Sequence, residues 1–331
     1  MNVISVLPKD AIPSIDDPEF GDVYFGDPDD DVLVVESNGD ADADGNGNAD
    51  SDADSDAESD SDAVARAYPV RILNYHEIVN DEVDGEPVAI TWCPICGSTV
   101  VYDATVDGRR LTFGVSGKLA DDDLVLYDRQ TDSEWKQSTG ECIAGELEGE
   151  QLRVRPGPLT TYAAFREAHP DGLVLQPVDD GAGVARDYDP SGYDAYASGE
   201  GFGLRAMRGE GPNREWDRDD LDPKTVVLGV TVDGDALGFP RPRVEAAGGV
   251  VTATVGGTDV VVIATEEGLH AFEQPDFELV VEDGTVVGDG TTWSLATGES
   301  EDGRRLRRVR TRRLYAFTWQ DDHGADAFYQ E

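Results

Sequence analysis

The chain has 331 residues, of which 39% are hydrophobic and 29% charged, and no apolar run is long enough to span a membrane. Its 70 acidic residues outnumber 26 basic ones, giving a formal net charge of −44. Such a surface repels phosphate and anionic lipid, which excludes nucleic acid and membranes as favourable partners. Because the acids are spread along the whole chain, the composition indicates adaptation to molar salt rather than an acidic binding patch. It does not identify a protein or small-molecule partner.

The first 20 residues contain three prolines, a lysine and several acids where an export signal would need a continuous apolar stretch. The sequence therefore predicts a cytoplasmic protein. Residues 32–35 predict a strand that enters a hairpin. Residues 37–63 follow, and they are almost wholly Asp, Ala, Ser, Gly and Asn, a composition that cannot bury a core. They predict a disordered acidic insert.

Short strands separated by Gly and Asp dominate the rest of the first half. Two short helices interrupt them, one over 68–76 with proline in its first turn and one over 160–169 with a threonine placed to cap it. We therefore expect a mainly β protein with a few short helices, a β-rich α+β fold. The predicted strands cover residues 87–92, 99–103, 111–115 and 124–127.

Several short sequence motifs of the first half recur in the second half in the same order. Trp135-x-x-x-Thr-Gly-Glu returns as Trp293-x-x-x-Thr-Gly-Glu. Ala65-Arg-Ala-Tyr-Pro69 likewise matches Ala236-Leu-Gly-Phe-Pro240, and such matches in the same order predict an internal duplication into two related halves. The predicted organisation is a first repeat over 1–175, an irregular connector over 176–222 rich in Asp, Gly, Pro and Arg, and a degenerate second repeat over 223–331.

Two of the three cysteines lie in the run Cys93-Pro-Ile-Cys96-Gly. This is the form of a rubredoxin or zinc-ribbon knuckle, in which both thiolates point at one metal and the glycine lets the backbone fold under the second sulfur. A thioredoxin-type redox pair has the same spacing, but there the motif opens a helix. Here strand-forming residues follow, which favours the knuckle. Two reduced cysteines in a tight hairpin remain the alternative without chemistry.

The predicted duplication adds candidates to this site. Aligning the halves places no Cys or His of the second half opposite His76, Cys93, Cys96 or Cys142, although the framework residues persist. Residues that are absent together are expected to have served one site. These four make a nitrogen–sulfur ligand set suited to zinc, iron or copper.

The motifs taken together resemble a known family. Asn74–Asp81, Trp92–Gly97, Phe113–Gly117 and Tyr127–Thr131 are similar to the domain of unknown function 3179, an uncharacterised bacterial and archaeal family. The resemblance covers most of the chain, and it implies no established activity. The chain departs from the family in that no export signal is predicted, in carrying the 37–63 insert, and in having Cys142 where a small apolar residue is common.

Three more residues are candidates for the pocket around His76. Glu77 follows the histidine directly, and Asp128-Arg129 has no counterpart in the second half. Arg129 could hold an anion or a carboxylate there, whereas the structural alternative is a buried Asp–Arg pair that fixes a loop.

The sequence leaves three classes of function open. A metal-binding protein that uses the knuckle comes first. A metal- or thiol-dependent oxidoreductase comes second, and it needs an open coordination position or a depressed thiol pKa. A binding or scaffold module without chemistry is the third.

Overall fold

The computed structural model describes residues 1–37, 64–178, 188–211 and 214–330. Within these ranges the chain is mainly β with a few short helices, as the sequence predicts. The predicted insert over 37–63 lies outside the described residues, except for residue 37. No described helix is long and apolar enough to cross a bilayer.

The chain up to residue 175 forms short strands and short helices. They are β1 Val3–Ser5, β2 Phe20–Gly21, β3 Asp31–Val35, β4 Arg66–Pro69, α1 Val70–His76, β5 Ile78–Val83, β6 Glu86–Cys93, β7 Ser98–Asp103, β8 Thr105–Val106, β9 Arg109–Arg110, β10 Phe113–Ala120, β11 Asp123–Asp128, β12 Glu134–Lys136, β13 Cys142–Ala144, β14 Val154–Arg155, β15 Leu159–Thr161, α2 Tyr162–Ala168 and β16 Leu173–Leu175.

The later elements begin in the connector. They are the 3-10 helix Pro190–Tyr193, α3 Asp194–Ala197, α4 Gly203–Met207, β17 Val226–Val232, β18 Asp235–Pro240, α5 Arg241–Ala246, β19 Val250–Val255, β20 Thr258–Thr265, β21 Gly268–Glu273, β22 Leu279–Glu282, β23 Thr285–Gly288, β24 Thr291–Trp293, β25 Thr311–Tyr315 and α6 Ala316–His323.

Asp-Gly pairs set the register of many hairpins. Asp84 and Gly85 join β5 to β6 with φ values of 55° and 80°, the left-handed conformation that a two-residue hairpin turn needs at both positions. Both residues tolerate it, Asp because its short side chain bonds locally and Gly because it has no Cβ. Four other hairpin turns use the same pair, at 107–108, 233–234, 283–284 and 289–290. The aspartates of these hairpin turns therefore account for part of the excess of acidic residues.

One sheet runs through both predicted repeats. Its strand order is β18-β17-β25-β7-β6-β5, and β14 also pairs with β7. The join is antiparallel, with Arg313 of β25 opposite Thr99 of β7. A second sheet, β1-β10-β11-β12-β13, faces the same core. All three cysteines are buried in that core.

The described residues of the predicted connector over 176–222 include the 3-10 helix, α3 and α4, and they contribute to the core. Tyr196 is buried and donates a hydrogen bond to the Ile95 carbonyl at 2.8 Å, while its oxygen accepts one from the Gly203 N–H at 3.0 Å. The connector thus covers the turn that carries the knuckle cysteines.

The same succession of elements occurs in both halves. Pro69 and Pro240 each end a strand and precede a short helix with nearly identical backbone angles, φ −64° and ψ 130° against φ −65° and ψ 126°. Three antiparallel strands follow each helix, β5–β7 and β19–β21. Later, Trp135 lies opposite Cys142 and Trp293 opposite Ser300. Both tryptophans are buried, at 0% and 5% exposed.

Candidate metal centre

The knuckle is a tight turn between two central strands. β6 ends at Cys93 and β7 begins at Ser98, and these two residues are paired across the hairpin. Gly97 closes the turn with φ 55°, where a Cβ would lie 2.7 Å from the ring of Tyr315. A strand follows the motif, as predicted, so its cysteines do not sit at a helix N-terminus like a thioredoxin-type pair.

Asp123 joins the two cysteines. The sulfurs of Cys93 and Cys96 and one carboxylate oxygen of Asp123 lie within 4.8 Å of one another. All three side chains are buried, at 1%, 0% and 0% exposed. Asp123 begins β11 directly after a turn in which residues 121 and 122 have positive φ, and this turn delivers the carboxylate to the knuckle.

Only one oxygen of the Asp123 carboxylate has a hydrogen-bond partner among the described residues. Its Oδ2 accepts a hydrogen bond from the Ser138 N–H at 2.8 Å, but Oδ1 has no hydrogen-bond partner among the described residues. An unsatisfied buried carboxylate oxygen costs free energy, and a bound cation would satisfy it. Two thiolates and a carboxylate are ligands that zinc and iron accept.

Cys96 and Asp123 resist ionisation in this cluster. Burial raises the pKa of Cys96 well above its ordinary value, and Cys93 and Asp123 act in the same direction, while the Thr318 hydroxyl opposes them. Burial also raises the pKa of Asp123 to about 6, against the lowering effect of Lys136. A divalent cation would reverse this balance, because it stabilises the deprotonated form of each ligand.

The second half of the chain closes the site. The Tyr315 N–H donates to the Cys96 carbonyl at 2.8 Å, and the Arg313 guanidinium donates to the Gly97 carbonyl at 2.5 Å. Helix α6 places Thr318 beside Cys96. This contribution could not be predicted from the residues around the knuckle, because it comes from residues more than 200 positions after it.

His76, a predicted ligand, lies outside the three-residue group. Its Nδ1 donates to the Pro13 carbonyl at 2.8 Å, which leaves Nε2 to accept a hydrogen bond from the Tyr188 hydroxyl at 2.9 Å. The Tyr188 oxygen in turn accepts from the Val178 N–H at 3.2 Å. To bind a metal, His76 would have to give up one of these bonds. Its role as a ligand stays a prediction.

Cys142 also lies outside the group, although it shares the same core. Its thiol faces the Ala144 carbonyl at 3.5 Å, and burial raises its pKa to about 11. It is paired in register with Trp135. As with His76, its role as a metal ligand stays a prediction.

Asp128 and Arg129 make separate structural contacts. Asp128 is fully buried and accepts hydrogen bonds from Thr131 and from the Trp135 indole N–H at 3.0 Å. Arg129 donates to the Tyr127 hydroxyl at 2.6 Å and lies 3.3 Å from the Asp16 carboxylate. No bond joins Asp128 to Arg129 among the described contacts, so the anticipated Asp–Arg pair is replaced by a turn cap and a separate ion pair.

Glu77 lies in an apolar cavity beside the knuckle. It ends α1 in the left-handed conformation, with φ 58°, and is 7% exposed. Its carboxylate has no hydrogen-bond or ion-pair partner among the described residues, and burial raises its pKa to about 8. The cavity, about 220 Å³, is also lined by Cys93, Tyr193 and apolar side chains, which include Leu7, Ile12, Ile95, Leu119, Leu204 and Met207.

The sequence of the chain matches a protein-family model. The family model described as a protein of unknown function, DUF3179, matches residues 58–328, which is most of the chain. The chain belongs to this family. No curated protein matches the chain, and no solved structure does. In this DUF3179 member, the matched range contains the knuckle, Asp123, and the second-half residues that close the site.

Proposed function

We propose that this DUF3179 member binds one transition metal ion, zinc, iron or copper, through Cys93, Cys96 and Asp123. The observation that carries the proposal is the unsatisfied Oδ1 of Asp123 in a buried cluster with two sulfurs. Zinc and iron suit the mixed sulfur–oxygen set best, whereas copper in its reduced form prefers sulfur alone.

Three protein ligands leave one position of a tetrahedron open, which is the arrangement of catalytic rather than structural zinc sites. The cavity that Cys93 shares with Glu77 would give a water or small molecule access to that position. This supports a metal-dependent oxidoreductase as the second candidate. A metal-free thiol enzyme is less well supported, because the pKa of Cys96 is raised rather than depressed.

Elemental analysis of protein purified without chelator tests the proposal. We expect about one metal ion per chain, and loss of that metal in Cys96→Ser and Asp123→Asn. Cobalt substitution should give a thiolate charge-transfer band that both variants lose. Wild-type protein that neither retains metal nor takes up zinc or cobalt would refute the proposal.

Two further variants test the ligands expected from the sequence alone. Cys142→Ser removes a buried thiol from the same core but not from the three-residue group, so it is also the matched control for Cys96→Ser. His76→Asn removes the ring that bonds Pro13 and Tyr188. Full metal content in either variant would remove that residue from the ligand set.

We also propose that the halves arose by internal duplication, with the second half kept as a structural partner. The shared succession of strand, proline, short helix and three strands supports this, as do the matched registers of Trp135 and Trp293. The expectation of a salt-adapted protein that binds neither nucleic acid nor membrane rests on the charge of −44.

A further inference from the structure

A second cavity, of about 100 Å³, lies where the two halves meet and is distinct from the knuckle. Residues 156–159 of the first half form one wall. The cavity is also lined by three arginines of the second half, Arg241, Arg308 and Arg313. Three arginines around one small space are notable in a chain with 26 basic and 70 acidic residues.

His270 is buried in this cavity, at 2% exposed. Neither of its ring nitrogens has a hydrogen-bond partner among the described residues. Gly268 leaves room beside the ring, since a Cβ there would lie 2.6 Å from Nε2. Burial, with Arg308 and Arg241, lowers the pKa of His270 to about 3, so the ring is neutral near pH 7 and offers one donor and one acceptor.

Arg241 and Arg313 are positioned by contacts that do not use all their donors. Arg241 donates to the Thr265 carbonyl and to Glu245, each at 2.6 Å, and Arg313 donates to the Gly97 carbonyl at 2.5 Å. A guanidinium has five N–H donors in a fixed plane, so donors remain for a ligand. Three acidic side chains, Asp31, Glu266 and Glu267, also line the cavity. Burial raises the pKa of Asp31, and the nearby Arg313 and Arg241 oppose that rise.

We propose that this cavity binds a small oxyanion of the phosphate class between the two halves. Several oxygens match the arginine donors, and the volume excludes a nucleotide-sized ligand. A protonated oxyanion such as hydrogen phosphate can also donate to the unprotonated nitrogen of His270, which sulfate cannot do at neutral pH. The inference does not depend on metal binding at the knuckle.

Isothermal titration calorimetry of the full chain at pH 7.5 and low chloride, with inorganic phosphate, sulfate and acetate, tests this. We expect saturable binding of one phosphate per chain and weaker binding of sulfate and acetate. Arg241→Met should weaken phosphate binding by about tenfold to a hundredfold, the range expected for one charged hydrogen bond. His270→Phe should abolish the preference for phosphate over sulfate.

Arg109→Met is the matched control, since it removes the same charge from an exposed arginine that does not line the cavity. We expect it to bind phosphate as wild type does. No saturable phosphate binding to wild type, or an equal loss in Arg109→Met and Arg241→Met, would overturn the proposal. Equal affinity of wild type for sulfate and phosphate would overturn the role given to His270. Thermal unfolding of each variant shows that the fold is retained.

Discussion

Lys136 donates a hydrogen bond to Asp322, 186 residues further along the chain, in an ion pair whose side chains are 7% and 1% exposed. The pair ties helix α6 to strand β12. It also lies beside the candidate ligands, because Lys136 lowers the pKa of Asp123 while Asp322 raises it. The charge at the proposed metal centre is therefore set partly by the second half.

Replacing Lys136 by Met should destabilise the protein by about 3–5 kcal/mol, because the change leaves the buried Asp322 carboxylate without its partner. Urea unfolding of metal-free protein measures this. Lys118→Met is the matched control, since its pair with Glu134 is 36% and 21% exposed and should contribute about 0–1 kcal/mol. Equal destabilisation by the two substitutions would contradict the importance of burial.

Glu77 should make the folded chain less stable as pH rises. Its pKa is about 8 in the folded protein against 4.5 ordinarily, so between these values the unfolded chain releases a proton that the folded chain retains. The free energy of unfolding should then fall by at most about 1.4 kcal/mol per pH unit from this group. Glu77→Gln should remove that dependence, as urea unfolding from pH 5 to 8.5 would show.

The exposed Glu86 of the adjacent strand provides the control for this titration. Glu86→Gln should keep the pH dependence of wild type. A Glu77→Gln protein with the same pH dependence as wild type would show that the Glu77 carboxylate is not held neutral by burial.

Removing residues 38–62 should leave the fold and any metal content intact. β3 and β4 are already paired, with Val35 opposite Arg66, and the Ser37 hydroxyl donates to the Val64 carbonyl at 3.2 Å. The composition of the removed segment offers nothing to pack. Thermal unfolding and elemental analysis at molar salt would check this. Loss of soluble protein after the deletion would make the acidic segment part of the fold.

Local features of the site could be read from the sequence. The predicted strands over 87–92 and 99–103 match β6 and β7 to within a residue. The knuckle lies in the short turn between them, so neighbouring residues are sufficient to predict it. The helix predicted over 160–169 is α2, capped by the Thr161 side chain. Such elements depend on contacts a few residues apart, for which spacing and turn chemistry are sufficient.

The long-range part of the site could not be read in this way. Asp123 is one of 70 acidic residues, and nothing local distinguishes it except its place just before a buried run. Lys136 stands out in the sequence because the chain has only four lysines. Its burial is visible only in the structure. Because the second half has no counterpart of His76 or of the cysteines, the sequence predicts that they share one site. In the structure the His76 ring instead hydrogen-bonds Pro13 and Tyr188.

Helix α6 follows the knuckle by more than 200 residues, which has a consequence for biosynthesis. At roughly 5–20 residues per second, the ribosome needs on the order of 10–45 s to travel from Cys96 to Asp322. During that interval the nascent knuckle has its thiols but neither Thr318 nor the Lys136–Asp322 pair. The site is therefore completed only after residue 322 has been made, and until then the thiols are open to oxidants and to competing metals.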